Sequence, residues 1–356
     1  MENKKLKIAV VGCGSISSYH IKAYEQIPEV ELYAFCDINP DTLKAKGDYH
    51  HVTRLYTDED LMFKECPEID AVSVCTWNNG HAECTIKALN AGKHVICEKP
   101  MAMTVEEAEQ MKEAAERNGK LLMLGFVRRY GNDCILAKEL VDAGTFGELY
   151  YAKVNYLRRH GNPGGWFCDV SRSGGGCLID LGVHVIDYAR YLFGCPKPVS
   201  VYGSTFKKLG NRPEIKGKPS YVPTTAATTV CDVEDLAVGM VRFDNGATLT
   251  VETSFCLNGD NKNSIEIYGT KGGAKIDGKF EIYSDVNGYL SNTTFANQSA
   301  ASFDFEKSFV TEIRHFVDCI LNNKPCISTA EDGVYLMKIL RGIYESAETG
   351  HEVILD

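Results

Sequence analysis

The chain has 356 residues, of which 44% are hydrophobic and 24% charged, and its formal net charge at pH 7 is −10. A chain of this length is longer than one that ordinarily folds around a single hydrophobic core, so two domains are expected. A negative chain without a block of Lys and Arg argues against nucleic acid or an anionic membrane as partner. No apolar run reaches the roughly 20 residues that a membrane-spanning helix needs.

The fourteen cysteines are scattered along the chain, and no two of them are spaced as C-x-x-C. This spacing predicts neither a zinc site nor a dithiol redox motif, so no metal is expected. The first residues lack the apolar segment of a secretion signal. We therefore expect a cytoplasmic protein whose cysteines are reduced and mostly buried.

The first third of the chain begins with the order of elements found in dinucleotide-binding domains. A short apolar run at residues 6–11 ends in a glycine-rich turn at 12–17, and an amphipathic helix pattern follows up to Pro28. A second apolar run at residues 30–36 ends in Asp37. Strand, glycine turn, helix, strand and acid in this order are the dinucleotide fingerprint.

Each part of this fingerprint has a physical role toward the cofactor. Gly12 permits the tight turn, Gly14 lets the backbone approach the pyrophosphate, and the helix start at Ser15 and Ile16 offers N–H groups to it. Asp37 can accept both hydroxyls of the adenosine ribose and would repel a 2′-phosphate. No Arg directly follows Asp37, so NAD is favoured over NADP.

The alternation of strands and helices continues. Strands are expected at residues 69–75, 93–97 and 120–124. One helix is expected at residues 80–90, and another begins at the capping box of Thr104 and Glu107. Short loops between such elements predict a Rossmann fold, a doubly wound parallel sheet whose ligands lie outside the carboxyl ends of the strands. Lys99 follows one of these ends and precedes a proline, which restricts its backbone and so directs its side chain. The other polar residues at these ends are Thr76, Asn78 and Glu98.

The remainder of the chain is rich in strands, expected at residues 149–158, 199–206, 236–243, 247–255, 264–268 and 274–276, with hairpins at 244–246 and 269–273. A polar excursion is expected at 207–229, and helices at 308–322 and 330–349 close the chain. We expect an α+β domain with a large, mainly antiparallel open sheet, and a division into residues 1–125 and 126–356. Helices cover one face of such a sheet, and the other face would be exposed unless another subunit covers it. We therefore expect a homo-oligomer, which is a dimer, a tetramer or a larger assembly.

A nearly continuous apolar helix pattern at residues 178–193 is interrupted by Asp180, His184 and Asp187. Their spacing of i, i+4 and i+7 places the three on one stripe of the helix. An unpaired carboxylate or imidazole would be costly to bury there, so the stripe must face partners or a wet cavity. A His one turn from an Asp is also a typical general base near neutral pH.

A glycine-rich loop follows the long strand at 149–158 and contains residues suited to a hydroxylated ring. Arginine and histidine side chains can bind the hydroxyl edge of such a ring, while an indole stacks on its C–H face. The candidate substrate residues here are Tyr156, Arg158, His160 and Trp166.

Taken together, these motifs resemble the Gfo/Idh/MocA oxidoreductases over nearly the whole chain. The resemblance rests on Gly12, Gly14 and Asp37, on His81 and residues 91–95, on Glu98-Lys99-Pro100, on Gly125-Phe126 and Arg129-Tyr130, and on residues 173–176 followed by Asp180 and His184. One departure is Trp77, where the family often has proline.

The resemblance implies reversible hydride transfer between a nicotinamide cofactor and a secondary alcohol of a sugar or cyclic polyol. His184 would then exchange the hydroxyl proton, Asp180 would orient His184, and Lys99 would stabilise the charge on the reacting oxygen, so all three would contact substrate. It further implies that the cofactor is contacted by Thr76, Asn78, His81, Glu98, Lys99, Arg128 and Trp166.

The sequence therefore favours an NAD-dependent dehydrogenase acting on a sugar or glycoside. The Pro-Gly-Gly-Trp stretch at residues 163–166 resembles family members that act on pyranosides, including glycoside 3-dehydrogenases, and this resemblance implies oxidation at C3 of a pyranoside. The alternatives are an inositol dehydrogenase and an NAD-dependent glycoside hydrolase or lyase that keeps its cofactor bound. A non-catalytic NAD-sensing protein is the least favoured alternative, because a sensor has no need of Lys99, Asp180 and His184 together.

Overall fold

A computed structural model describes residues 5–210, 212, 214–216 and 230–355 of the chain. The chain forms two compact units. The first joins the described residues up to Val127 with Phe305–Val334, and the second joins those of Arg128–Asp304 with the residues from Tyr335 onward. The sequence did not predict the return of residues 305–334 to the first unit, because an amphipathic pattern shows that a helix face is buried but not against which element.

The elements up to residue 127 alternate as predicted. In chain order they are β1 (Leu6–Val11), α1 (Ser17–Tyr24), β2 (Val30–Cys36), α2 (Pro40–His50), β3 (Leu55–Tyr56), α3 (Glu59–Glu65), β4 (Ala71–Val74), α4 (His81–Asn90), β5 (His94–Glu98), α5 (Val105–Asn118) and β6 (Leu122–Gly125).

The later elements are α6 (Asn132–Asp142), β7 (Leu149–Leu157), α7 (Val170–Ser173), a π-helical turn (Leu178–Gly182) and α8 (Val183–Leu192). They continue with β8 (Pro198–Phe206), β9 (Leu236–Phe243), β10 (Thr248–Ser254), β11 (Lys262–Gly269), β12 (Gly273–Ile276), β13 (Phe280–Val286) and β14 (Tyr289–Thr294), and end with α9 (Phe305–Leu321), α10 (Ala330–Thr349) and β15 (Val353–Ile354). Of the excursion predicted at 207–229, residues 217–229 lie outside the described part of the chain. Among the described helices, none is both long and apolar enough to cross a membrane.

The first unit contains the predicted Rossmann sheet. Its six strands are all parallel and lie in the order β3-β2-β1-β4-β5-β6. Helix α9 packs beside α1, where Tyr19 stacks on Phe309 with ring centroids 5.2 Å apart. Elements α2, β3 and α3 were not predicted, because α2 buries only Leu43 and Gly47 and so lacks a clear apolar stripe.

The second unit contains a nine-stranded sheet in the order β14-β13-β12-β11-β7-β10-β9-β8-β15. Every strand pair is antiparallel except β10 and β7, so the mainly antiparallel sheet is confirmed, as are the hairpins β9–β10 and β11–β12. Strands β13 and β14 were missed because β14 is exposed along nearly its whole length and shows no apolar alternation.

One face of this sheet is not packed within its own unit. A row of partly or fully exposed side chains crosses five strands in register, from Tyr202 through Met240, Thr250 and Tyr151 to Tyr268. Tyr202 and Met240 are 46% and 42% exposed. We call these five residues the open-face row.

Helix α8 is held by an ion pair at its middle. Arg129 donates from Nη2 to Asp187 Oδ1 at 2.6 Å and from Nε to Asp187 Oδ2 at 3.0 Å. The two side chains are 0% and 2% exposed, so both charges are buried and each compensates the other. Asp187, the third member of the predicted stripe, therefore faces a structural partner.

Replacing Arg129 with alanine would leave the Asp187 carboxylate buried without its counter-charge. We expect Arg129→Ala to lower the free energy of unfolding by about 3–5 kcal/mol, measured by urea denaturation followed by circular dichroism. Arg314→Ala is the control, because Arg314 pairs with Glu29 on the surface and such pairs contribute little. Equal stabilities of the two variants would contradict the anchoring role of Arg129.

Candidate active site

The glycine turn after β1 passes close to the end of β4. Gly12 has a φ of +86°, and a Cβ atom built on it would lie 2.6 Å from the backbone of Cys75. Glycine is therefore required here by the protein itself. A Cβ on Gly14 would meet no protein atom within 4 Å, so the packing of the chain does not explain this second glycine. A ligand lying against the turn does explain it.

The start of α1 follows this turn. Ile16 stands at the N-cap and supplies no side-chain hydrogen bond to the helix, while Ser15 beside it is exposed. The positive end of α1 is thus not neutralised by a capping side chain, which suits the pyrophosphate of a dinucleotide. Ser17, which occupies the third glycine position, donates its hydroxyl to the Gly14 carbonyl at 2.7 Å and so tightens the turn.

Asp37 joins the glycine turn to the loop after β2. Its Oδ2 accepts from the Cys13 backbone N–H at 2.6 Å, and its Oδ1 accepts from the Asn39 backbone N–H at 2.8 Å. The carboxylate is only partly buried, and each oxygen keeps capacity to accept a ribose hydroxyl. These features fit an adenosine ribose at this position.

Lys46 is a residue of this site that the sequence analysis missed. Its ammonium group donates to Ser18 Oγ at 2.7 Å and to the Gly14 carbonyl oxygen at 3.3 Å. Burial lowers its pKa. Because α2 was not predicted, no sequence signal placed Lys46 beside the glycine turn.

The loops after β4 and β5 are connected by His81. This side chain is buried, with Nδ1 lying 2.7 Å from the Pro100 carbonyl oxygen and Nε2 lying 3.2 Å from that of Thr76. Burial lowers the pKa of the imidazole. Both nitrogens contact backbone, so His81 fixes the loops that carry Thr76 and Lys99.

Glu98 also lies inside the unit, where direct contact with the cofactor was expected. Its carboxylate contacts His20 Nε2 at 2.9 Å and accepts from the Lys99 backbone N–H at 3.2 Å. Lys99 itself is partly exposed, and the peptide bond between it and Pro100 is cis. Asn78 is buried and Thr76 partly exposed at the neighbouring strand end.

In the second unit a glycine-rich turn precedes the helix with Asp180 and His184. A Cβ on Gly175 would lie 2.1 Å from the Tyr344 hydroxyl, and one on Gly176 would lie 2.1 Å from the Glu234 carbonyl oxygen. The Glu234 carboxylate, 2% exposed, accepts from Gly176 N at 2.8 Å and from Leu178 N at 2.9 Å. It therefore caps this helix end, a role that no local pattern revealed because Glu234 lies far along the chain.

The predicted helix begins as the π-helical turn, and Asp180 lies inside this turn. Asp180 and His184 are partly exposed, while every other residue from 178 to 190 is buried. The structure thus confirms that these two polar side chains leave an otherwise buried helix at one place. Single π-helical turns within helices are frequent at functional sites.

The end of β7 pairs with β10, and β10 contacts this turn. Thr253 of β10 pairs with Tyr156 of β7. The Thr253 carbonyl accepts a hydrogen bond from Cys177 Sγ at 3.3 Å. Arg158 donates to the Tyr156 hydroxyl at 3.4 Å and to the Gly161 carbonyl at 3.1 Å. The structure therefore brings Tyr156 and Arg158 together near the helix with Asp180.

The other predicted loop residues have separate positions. His160 forms a bridge with Cys256, and Trp166 stacks on Phe167 with ring centroids 4.0 Å apart. Arg128, which we expect to contact the cofactor, donates to Asp133 Oδ2 at 3.1 Å and lies 4.0 Å over the Phe303 ring.

The Rossmann sheet, the open space beside Gly14 and the partly exposed Asp37 carboxylate fit a dinucleotide-binding protein. Residues 6–126 match the family described as oxidoreductase family, NAD-binding Rossmann fold, and residues 135–275 match the GFO/IDH/MocA C-terminal domain. The chain belongs to this family.

Known relatives cover the chain from end to end. D-glucoside 3-dehydrogenase of Escherichia coli K12 is 33% identical, over 100% of this chain and 99% of its own. Myo-inositol 2-dehydrogenase of Thermotoga maritima is 26% identical over 99% of both chains. A solved structure of levoglucosan dehydrogenase in complex with NADH has a TM-score of 0.84 and 25% identity, covering 99% of both chains.

The same substitution, glycine to alanine, should have different effects at Gly12 and at Gly14. We expect Gly14→Ala to fold normally but to bind NAD at least about tenfold more weakly, a loss of about 1.4 kcal/mol, measured by isothermal titration calorimetry. Gly12→Ala should instead lower the thermal unfolding midpoint, because its methyl group would collide with backbone. Wild-type affinity in Gly14→Ala would contradict a pyrophosphate position at this turn.

Proposed function

We propose that the protein is an NAD-dependent dehydrogenase that oxidises a secondary hydroxyl of a sugar or glycoside, and that it acts at C3 of a pyranoside. The observation that carries this proposal is the Asp180–His184 pair, which is partly exposed in an otherwise buried helix beside the Tyr156–Arg158 contact. The full-length similarity to a D-glucoside 3-dehydrogenase supports the choice of ring and carbon.

Three side chains share the chemistry in this proposal. His184 accepts the proton of the substrate hydroxyl, and Asp180 orients the imidazole and stabilises its protonated form. Lys99 hydrogen-bonds the reacting oxygen and stabilises the negative charge that develops there. Bound NAD supplies the acceptor for the hydride.

The cofactor contacts in this proposal come from Gly12, Gly14, Ser15, Ile16 and Asp37, and from Thr76 and Asn78 at the end of β4. His81, Glu98 and Lys46 position the loops that hold the cofactor, because their polar atoms contact neighbouring protein groups. Arg128 is an anchoring residue, given its contacts with Asp133 and Phe303.

The substrate contacts come from the loop after β7 in this proposal. Arg158 and His160 bind hydroxyl groups, and Tyr156 holds the Arg158 guanidinium in place. Trp166 stacks on the C–H face of the ring.

Inositol oxidation is the second candidate function, favoured by the similarity to myo-inositol 2-dehydrogenase. An inositol ring offers the same secondary hydroxyls but lacks the anomeric substituent of a glycoside. A panel of alkyl glucosides, free hexoses and inositols with NAD, followed by absorbance of NADH, separates the two functions. Turnover with inositols alone would reject the glycoside proposal.

We also propose that the protein is a cytoplasmic homo-oligomer. The thiol state of all fourteen cysteines, most of them buried, supports a reducing compartment. The open-face row supports self-association, because an aromatic and apolar stripe across five strands is typical of an interface.

The catalytic roles proposed for Lys99 and His184 predict a loss of kcat, and the substrate-binding role proposed for His160 predicts a change in KM. We expect Lys99→Ala and His184→Ala to lower kcat about 10²- to 10⁴-fold, because each removes a group that acts on the reacting oxygen. The NAD dissociation constant of His184→Ala should stay near wild type in calorimetry. His160→Ala is the matched control, since it should raise KM more than it lowers kcat. Normal kcat in His184→Ala would place the base elsewhere.

The open-face row predicts a concentration-dependent assembly. We expect Met240→Glu to shift sedimentation toward the monomer, because it places a charge at the centre of an apolar interface. Leu61→Glu is the matched control, since Leu61 is 45% exposed on α3 in the other unit. A Met240→Glu variant that sediments as wild type would argue against this face as the interface.

A further inference from the structure

Two cysteines of the second unit lie together beside the loop after β7. Among the cysteines that the structure describes, only Cys231 is exposed, whereas the Cys168 side chain is buried and 1% exposed. Asn162 lies with them and is 9% exposed. We call Cys168 and Cys231 the thiol pair.

The side chain of Asn162 contacts both sulfur atoms. Its Oδ1 accepts from Cys168 Sγ at 2.9 Å, and its Nδ2 lies 4.0 Å from Cys231 Sγ as a donor. Because Oδ1 accepts from the Gly164 backbone N–H at 2.8 Å, the amide is oriented with its NH₂ group toward Cys231.

These contacts make the two thiols chemically unequal. The neighbouring Cys168 thiol, and further the amide donor of Asn162, lower the pKa of Cys231 to about 7, against the opposing effects of partial burial and of Asp235 and Asp232. The neighbouring Cys231 and burial raise the pKa of Cys168. Near neutral pH, Cys231 is thus substantially a thiolate at the surface, whereas Cys168 remains a protonated thiol behind it. A thiolate is the reactive form of cysteine.

We propose that Cys231 is an oxidation site for hydroperoxides and that Cys168 is its resolving thiol. The Cys231 thiolate attacks the O–O bond of hydrogen peroxide, which yields a Cys231 sulfenic acid and hydroxide. The Cys168 thiol then attacks the Cys231 sulfur, and the disulfide forms with release of one water. Thiol reductants reverse the reaction by exchange.

The position of the thiol pair links this chemistry to the site proposed above. Cys168 ends the short helical segment that contains Trp166, and the Cys168 carbonyl accepts from the Asp232 backbone N–H at 3.0 Å. Glu234, which caps the helix of Asp180, follows Cys231 by three residues. A disulfide would therefore displace the substrate loop relative to that helix end, and this expected effect on turnover rests on the proposed function.

The test begins with the reduced full-length protein, treated with hydrogen peroxide and mapped by peptide mass spectrometry. We expect a crosslinked peptide that joins Cys168 to Cys231. Cys231→Ser should abolish the crosslink, and Cys168→Ser should stop at a sulfenic acid on Cys231 that dimedone traps. Iodoacetamide labelling of Cys231 in the wild type should rise with pH through about 7.

Cys319→Ser provides the control. Cys319 lies 3.4 Å from His315 Nε2, and its neighbour Cys326 lowers its pKa, so it is a second thiol with a lowered pKa. We expect the Cys168–Cys231 crosslink to form unchanged in Cys319→Ser. A crosslink between Cys319 and Cys326 in place of the thiol pair would overturn the proposal, as would peroxide treatment that leaves Cys231 a free thiol.

Activity gives the second readout. Peroxide should lower kcat/KM for the sugar substrate at least about tenfold in the wild type, reversibly with dithiothreitol, and should leave Cys231→Ser unaffected. NAD affinity should not change, because the glycine turn belongs to the other unit. If the crosslink forms but no sugar is oxidised even by the reduced enzyme, the proposed function fails while the oxidation site stands.

Discussion

The contacts of the buried Glu234 carboxylate are the interaction on which the position of Asp180 and His184 in the second unit depends. Burial raises the pKa of this carboxyl group, and that cost is offset by two backbone N–H donors and by the Tyr344 hydroxyl at 2.9 Å. A Cβ on Gly176 would collide with the Glu234 backbone, and a Cβ on Gly175 would collide with the Tyr344 hydroxyl, so these glycines let Glu234 and Tyr344 lie close to the helix start. The glycines therefore serve the capping contact, and the capping contact fixes the π-helical turn.

The same helix is fixed a second time by the pair of Arg129 and Asp187. Between these two buried contacts, Asp180 and His184 leave the interior with little freedom to change direction. Preorganised side chains of this kind cost no reorganisation when charge develops during a reaction. In the first unit, His81 and Glu98 play the corresponding part for the loops beside Lys99, because their polar atoms contact the backbone of those loops.

Local patterns in the sequence were enough to predict the glycine turn, every strand of the Rossmann sheet except β3, and strands β7 to β12 of the second sheet. Strands β1, β2 and β9 have the predicted limits, because their apolar runs end abruptly. What escaped prediction depends on contacts between residues distant in sequence. Glu234 as a cap, Lys46 beside the glycine turn and the return of α9 to the first unit all require knowledge of the fold. The protein contacts of His81, Glu98 and Arg128 likewise became visible only in the structure, since a motif identifies a residue but not the partners of its side chain.

The central claim is that a carbon-bound hydrogen of a pyranoside C3 passes to NAD. The most direct measurement uses methyl β-D-glucopyranoside deuterated only at C3, with mass analysis of the reduced nicotinamide. We expect the deuterium in the NADH product, and unlabelled NADH when the sugar is deuterated at C2 or C4 instead. Unlabelled NADH from the C3-deuterated glucoside, together with an oxidised sugar, would contradict the claim.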